Sequence, residues 1–178
     1  MIALFTAIIV VLGVIPPIML GFFPVPIHAQ SLGVLLAGVV LGARKGTFSV
    51  LLLLVLVAIG LPVLSGGRGG LAVFLSPTAG YLIGFVPAAF VAGWVADKVA
   101  RSAVAGWRLF AGFLLGGVIG VLIDHTFGIG WLIAYVGLAP ADAIIGNLIF
   151  IPGDLAKAAI AAYVGQFVAA NFGTRLRD

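Results

Sequence analysis

The chain has 178 residues, 63% hydrophobic and only 8% charged, with a mean hydropathy of +1.35. No soluble domain of this size hides so much apolar surface, so the composition indicates an integral membrane protein. The net charge of +4 comes from nine Lys and Arg placed mostly between apolar segments, which fits topology rather than a nucleic-acid partner, and the lack of cysteine excludes disulfides, thiolate metal sites and a cysteine nucleophile.

A spanning helix takes roughly 20 apolar residues, so the chain allows about six spans in one transmembrane domain over 1–178. Segment one is expected from Ile2 to Leu20, kinked by Pro16-Pro17. Met1 to Val11 lacks a positive leader, so this segment is read as a retained helix, not a signal peptide. Ala3 and Ala7 form a small-xxx-small step that would let another helix approach closely.

The first connection, 21–30, carries Pro24 and Pro26, then His28 and Gln30. Segment two is expected to end at Ala43 with Arg44-Lys45 following, and segment three to run from Gly46 to Ile59. The Leu/Val run 50–57 reads as lipid-facing over much of its girth. Ser65 to Gly70 surrounds Arg68 with glycines, and the 60–77 stretch is either a cap folded back over the protein or a slack connector.

Segment four starts at Ser76-Pro77-Thr78, with Tyr81 near its mouth, and ends at Asp97-Lys98. Segment five runs from Trp107 to Ile123, with Gly112, Gly116 and Gly120 on one face. Asp124, His125 and Trp131 are expected after it, at the membrane surface. Gly128 to Ile149, with Pro140, Asp142 and Asn147, reads as a bent or re-entrant cover rather than a span. Pro152 opens segment six, which reaches Ala170.

Arg44, Lys45, Lys98, Arg101, Arg108, Arg175 and Arg177 fall on one side and only Arg68 and Lys157 on the other. The positive-inside rule then puts both termini in the cytoplasm and the 21–30, 60–77 and 124–153 connections outside. The interesting polar residues gather on that outer side.

Asp154 and Lys157 are three apart, on one helical face. Two readings stand: mutual neutralisation near the interface, or a ligand site, because a buried pair costs several kcal/mol unless satisfied. A ligand carrying a carboxylate and N–H donors would satisfy both, with the acid accepting and the lysine donating. Phe22, Phe23, Phe74, Tyr81 and Trp131 are candidate apolar walls. Arg68 either closes over an acid or is solvated; His28 is a ligand contact or an interfacial cap. Asp124-His125 has no third partner at metal-like spacing, so no metal is assigned, and no catalytic triad or phosphate loop is present.

Four stretches carry a family resemblance: Pro24 to Val34, Ile59 to Gly70, Pro77 to Phe85 with Thr78-Ala79-Gly80-Tyr81, and Phe150-Ile151-Pro152-Gly153-Asp154-Leu155-Ala156-Lys157. In order and spacing they resemble the BioY family, the biotin-specific substrate-binding (S) subunits of energy-coupling-factor (ECF) transporters. The resemblance implies an all-α protein of six transmembrane helices in a bacterial cytoplasmic membrane, not an enzyme, with no cofactor. It implies biotin captured from outside, a membrane coupling subunit and two cytoplasmic ATPases as partners, and a docking motif that Ala3 and Ala7 match. Biotin's carboxylate would suit Lys157 or Arg68, its ureido N–H groups Asp154, and its ureido oxygen Asn147 or Gln30. Tyr81 and the phenylalanines would pack its ring and chain. Many relatives have threonine where this chain has His28. The alternatives are an S subunit for another vitamin and an intramembrane enzyme using Asp154 and Lys157.

Overall fold

The structure, a computed structural model, describes residues 1–102, 104–173 and 177. Among them the α-helices are α1 (Ile2–Val14), α2 (Gln30–Ala58), α3 (Ala79–Arg101), α4 (Trp107–Trp131), α5 (Pro140–Asn147) and α6 (Ile151–Phe172). Short 3₁₀ turns lie at Leu71–Leu75 and Leu148–Phe150, and a π-helical turn at Leu132–Val136. Among the described residues, four stretches are long and apolar enough to cross a membrane: Gln30–Ala58, Ala79–Arg101, Trp107–Val136 and Pro140–Phe172. Ile2–Val14 is apolar but shorter.

α1 ends at Val14, short of the expected Leu20. Pro16 and Pro17 have no N–H to continue the ladder, so they terminate the helix rather than kink it. The chain then turns back on itself, with Ile18 and Ile27 exchanging main-chain hydrogen bonds at 2.8 and 3.0 Å.

α2 is two limbs, 30–41 and 43–58, joined at Gly42 with φ 82° and ψ 178°. The limbs fold together: a methyl on Gly46 would come within 2.6 Å of the Ala37 carbonyl oxygen. Asp97 of α3 accepts a hydrogen bond from Ala43 N–H at 2.9 Å, capping the second limb from another helix. The corner is therefore one residue, not the expected Arg44-Lys45 connection, and both basic residues begin the second limb. Glycine makes this possible because it accepts positive φ and puts no Cβ against the Asp97 carboxylate. In the second limb Val50, Leu53 and Val57 are buried while Leu51 and Val55 are exposed, so the 50–57 run shows one face to the core and one outward.

α3 packs against both α2 and α4, α6 against α2 and α4, and α1 against α2. Lipid is as apolar as the side chains, so close packing and buried hydrogen bonds hold such helices together. α3 meets α4 along a glycine ladder. Methyls on Gly112, Gly116, Gly120 and Gly128 would strike Val99, Ala92, Ala88 and Tyr81 in turn.

That ladder overturns the expected end of segment five at Ile123. α4 runs on to Trp131, so Asp124 and His125 lie inside a helix and not at its end. Asp124 takes the vacant rung between Gly120 and Gly128, against Gly84 of α3. The following stretch is bent, as expected, through the π-turn, Gly137 in the left-handed region and the short α5.

Asp97 also pairs with Arg177 at 2.9 Å, and Gln166 of α6 donates to Gly106 O at 3.1 Å. Thr6 of α1 donates to Ser49 O at 2.9 Å. These contacts gather the start of α1, the Gly42 corner, the α3–α4 connection and the end of α6 at one end of the bundle. Arg44, Lys45, Lys98, Arg101, Arg108 and Arg177 belong to those segments; Arg175 lies outside the described residues.

Candidate ligand-binding site

Pro152 lies in the first turn of α6, and Asp154 follows where the helix dipole favours an acid. One turn on, Lys157 Nζ donates to Asp154 Oδ1 at 2.7 Å, to the main-chain oxygen of His28 at 2.8 Å and to Ser31 Oγ at 3.0 Å. All three ammonium hydrogens therefore have acceptors. The other carboxylate oxygen, Asp154 Oδ2, is 2.9 Å from His125 Nε2, and His125 Nδ1 is 2.5 Å from Asn147 Oδ1. One polar chain thus ties together α5, α4, α6, the first connection and α2.

The glycine-rich stretch is folded, and Arg68 is half-buried with side-chain and main-chain partners. Leu64 and Arg68 form an antiparallel bridge. The guanidinium donates to Ser65 O at 3.2 Å through Nε and to Thr78 Oγ1 at 3.0 Å through a terminal nitrogen. Its burial draws it below the ordinary arginine value. Gln30 pins this loop. Its amide donates to Ile9 O at 3.3 Å and Val63 O at 2.9 Å and accepts from Ser65 N–H at 3.1 Å. With both amide hydrogens spent, Gln30 is a structural staple.

A cavity of about 140 Å³ lies among these groups, lined by His28, Ser31, Tyr81, Asp124, His125, Phe150, Asp154 and Lys157, with Val25 to Ile27 over it. A second compartment adjoins it, lined by Gln30, Ser65, Arg68, Thr78 and Phe85 and sharing Val25, His28 and Tyr81. The acid and the arginine thus belong to different compartments, with the Tyr81 ring common to both.

Among the described residues, the buried side-chain atoms without a hydrogen-bond partner are His28 Nδ1, Ser65 Oγ, Tyr81 Oη, Asp124 Oδ1 and Asn147 Nδ2. Each belongs to a residue that lines these compartments or, for Asn147, touches one that does. An unpaired buried polar atom costs about 1–3 kcal/mol. Their concentration here makes these compartments the candidate ligand site. His28 stays neutral at ordinary pH, because burial first and the Lys157 charge second lower its pKa to about 4.

Of the residues expected from sequence, the structure gathers His28, Tyr81, Asn147, Asp154 and Lys157, with Arg68 next door and Gln30 supporting it. Phe74 instead packs on the core formed by α1, α2 and α3. Phe22 is 73% exposed, so it is no cavity wall; Phe23 is buried against Phe150 with ring centroids 5.8 Å apart. Trp131 donates to Ser76 O at 3.0 Å and braces the mouth of α3. Ala3 and Ala7 are exposed on α1. The contributions that sequence reading missed are those of His125 and Asp124, whose signal was the four-residue rhythm of Gly112, Gly116 and Gly120 running past Ile123. Ser31, Ser65 and Thr78 gave no such signal.

The fold is that of an all-helical, membrane-embedded chain, with a cavity lined by Asp154 and Lys157 and an adjoining compartment lined by Arg68. The BioY family model matches residues 1–174, and the chain belongs to that family. It is 53% identical over 171 residues to the biotin transporter BioY of Rhizobium etli, covering 96% of this chain and 91% of the relative. Against the biotin transporter BioY of Rhodobacter capsulatus it is 50% identical over 180 residues, covering 95% and 91%. A solved structure, the S-component for biotin from an ECF-type ABC transporter, superposes with a TM-score of 0.90 at 37% identity, covering 99% of this chain and 92% of that one. The resemblance read from the motifs holds over residues 1–174, and the family is one of transporters, not enzymes.

Proposed function

We propose that this chain captures biotin for uptake across the bacterial cytoplasmic membrane, as the S subunit of an ECF-type transporter. The observation that carries the reading is the paired compartment, with Asp154 in one part, Arg68 in the other and unpartnered polar atoms between. Biotin is elongated, with two N–H donors and a carbonyl on its ureido ring and a carboxylate at the far end of its chain. Asp154 accepts ureido N–H groups, Asn147 Nδ2 donates to the ureido oxygen, and Tyr81 and Phe85 pack the ring and chain. Arg68 takes the carboxylate, because the Lys157 hydrogens are already spent on Asp154, His28 and Ser31, whereas a guanidinium carries five N–H donors. Lys157 then holds Asp154 and the first connection in place.

In this reading six segments cross the membrane: α1, the two limbs of α2, α3, α4 and α6. The basic end faces the cytoplasm with both termini, following the positive-inside rule, and the cavity opens outward. A membrane coupling subunit docks on the exposed Ala3–Ala7 face of α1, and two cytoplasmic ATPases supply energy that no motif in this chain provides. Equilibrium binding of a vitamin panel to the purified protein tests the function. Saturable binding of biotin, recovered unchanged by mass spectrometry, is expected. A preference for riboflavin or thiamine, or a chemically altered ligand, overturns it.

A further inference from the structure

The ring of His125 is buried, 6% exposed, and wedged between a carboxylate and an amide. Its Nε2 is 2.9 Å from Asp154 Oδ2 and its Nδ1 is 2.5 Å from Asn147 Oδ1. A carboxylate paired with a lysine only accepts, so the proton in the first contact comes from Nε2. Asn147 presents its oxygen to Nδ1, which is an acceptor too. With the amide placed this way the second contact needs a proton on Nδ1 as well, whereas the amide turned over would suit a neutral ring. Asn147 Nδ2 then turns away from the ring, buried and without an acceptor.

Removing the Nδ1 proton makes that nitrogen an acceptor. The Asn147 amide must then turn over to offer it an N–H, and its oxygen takes the place where Nδ2 stood. The proton count on His125 thus decides whether Asn147 shows a donor or an acceptor to the site. Resting on the biotin reading above, we propose that His125 is a positioning residue that couples biotin binding to the uptake of one proton. The doubly protonated ring fixes Asn147 as the donor to the ureido oxygen. No covalent step is involved; the proton comes from solvent and returns there on release.

The surroundings are specific to this role. Asp154 and Lys157 face the ring from α6, and Asp124 adjoins it on α4. Tyr81 of α3 meets it edge-on with centroids 6.1 Å apart, Phe150 packs at 6.3 Å, and His28 of the first connection lines the same cavity. Among these groups, His125 is the one whose proton count reverses the polarity of a second side chain.

Calorimetric titration of the purified protein with biotin, in paired buffers of different ionisation enthalpy, counts the protons exchanged between about pH 5.5 and about pH 8.5. Wild type is expected to take up about one proton at the alkaline end, with affinity falling about tenfold per pH unit above the transition of the free protein. His125→Gln is expected to lose both the uptake and the slope. Nitrogen-15 spectra of imidazole-labelled wild type, which do not depend on the variant folding, should show both ring nitrogens protonated in the complex at about pH 8. Biotin binding without proton uptake across the range, a slope that His125→Gln retains, or a neutral His125 ring in the complex overturns the coupling while leaving the biotin reading intact. Failure of wild type to bind biotin at every pH overturns both.

Discussion

Lys157 Nζ donates to the main-chain oxygen of His28 at 2.8 Å, joining α6 to a connection 129 positions away in sequence. The same ammonium holds Asp154 at 2.7 Å. Lys157→Ala therefore removes the cation beside the acid and frees the first connection together. Losing a charge-assisted contact costs about 1.5–3 kcal/mol, so biotin affinity is expected to fall more than tenfold. Binding isotherms on the monodisperse variant check this. Wild-type affinity would remove Lys157 from the site.

Gln30 makes three hydrogen bonds, to Ile9, Val63 and Ser65, those to Ile9 and Ser65 buried. Gln30→Leu keeps the bulk and strands the Val63 oxygen and the Ser65 N–H. Each stranded group costs about 1–3 kcal/mol. Thermal unfolding in detergent should show a clearly lowered midpoint, and biotin affinity should drop because the loop carrying Arg68 is released. An unchanged midpoint would mean that the staple contributes nothing.

Gly42 turns the α2 corner at φ 82°. Gly42→Ala places a methyl against Asp97 and asks an L-residue for a left-handed backbone. The strain alone costs on the order of 1–3 kcal/mol. A lower unfolding midpoint is expected, with biotin binding retained in the protein that remains folded. The corner lies at the end of the bundle away from the cavity. Full stability in the variant would contradict the close approach of Asp97.

His28 gives a pH signature in the ligand-free protein. Its folded pKa is about 4, against roughly 6.5 for an unperturbed histidine. Between these values the unfolded chain binds more protons than the folded one, so stability rises with pH across that window. The contribution is complete above about pH 6.5, lost as pH falls toward about 4, and flat below. Unfolding midpoints of wild type and His28→Asn should converge toward the acid end as the wild-type advantage fades. Parallel curves would mean that the ring is not buried neutral.

Ala3 and Ala7 are exposed on α1. Replacing both by tryptophan is expected to leave biotin binding within about twofold, since neither lines the cavity, and to block co-purification with the coupling subunit by filling the close-approach face. Normal assembly would move the docking surface elsewhere.

The readable parts of the chain were those written in local chemistry. Apolar runs, basic connections and the Pro152-Gly153-Asp154 helix start gave the membrane class and the Asp154–Lys157 pair. Two elements escaped for physical reasons. The Gly42 corner depends on a contact with Asp97, 55 positions on, and the sequence pattern around Arg44-Lys45 looks like an ordinary loop. The last two turns of α4 were hidden because Asp124-His125 looked like a surface break. In fact the acid fills one rung of a glycine ladder opposite Gly84, and the histidine is satisfied by α5 and α6. Gln30, expected as a ligand contact, lines the Arg68 compartment while its amide also holds the Ile9, Val63 and Ser65 backbone, a second role that its position at a helix mouth did not show.

The central claim is that one ligand fills both compartments, ring toward Asp154 and acid toward Arg68. An experimental structure of the protein with biotin bound measures this directly. The account predicts the ureido ring within hydrogen-bond distance of Asp154 and Asn147 and the carboxylate on the Arg68 guanidinium. Biotin found in the reverse orientation, or outside the compartments lined by Tyr81 and His28, would contradict it.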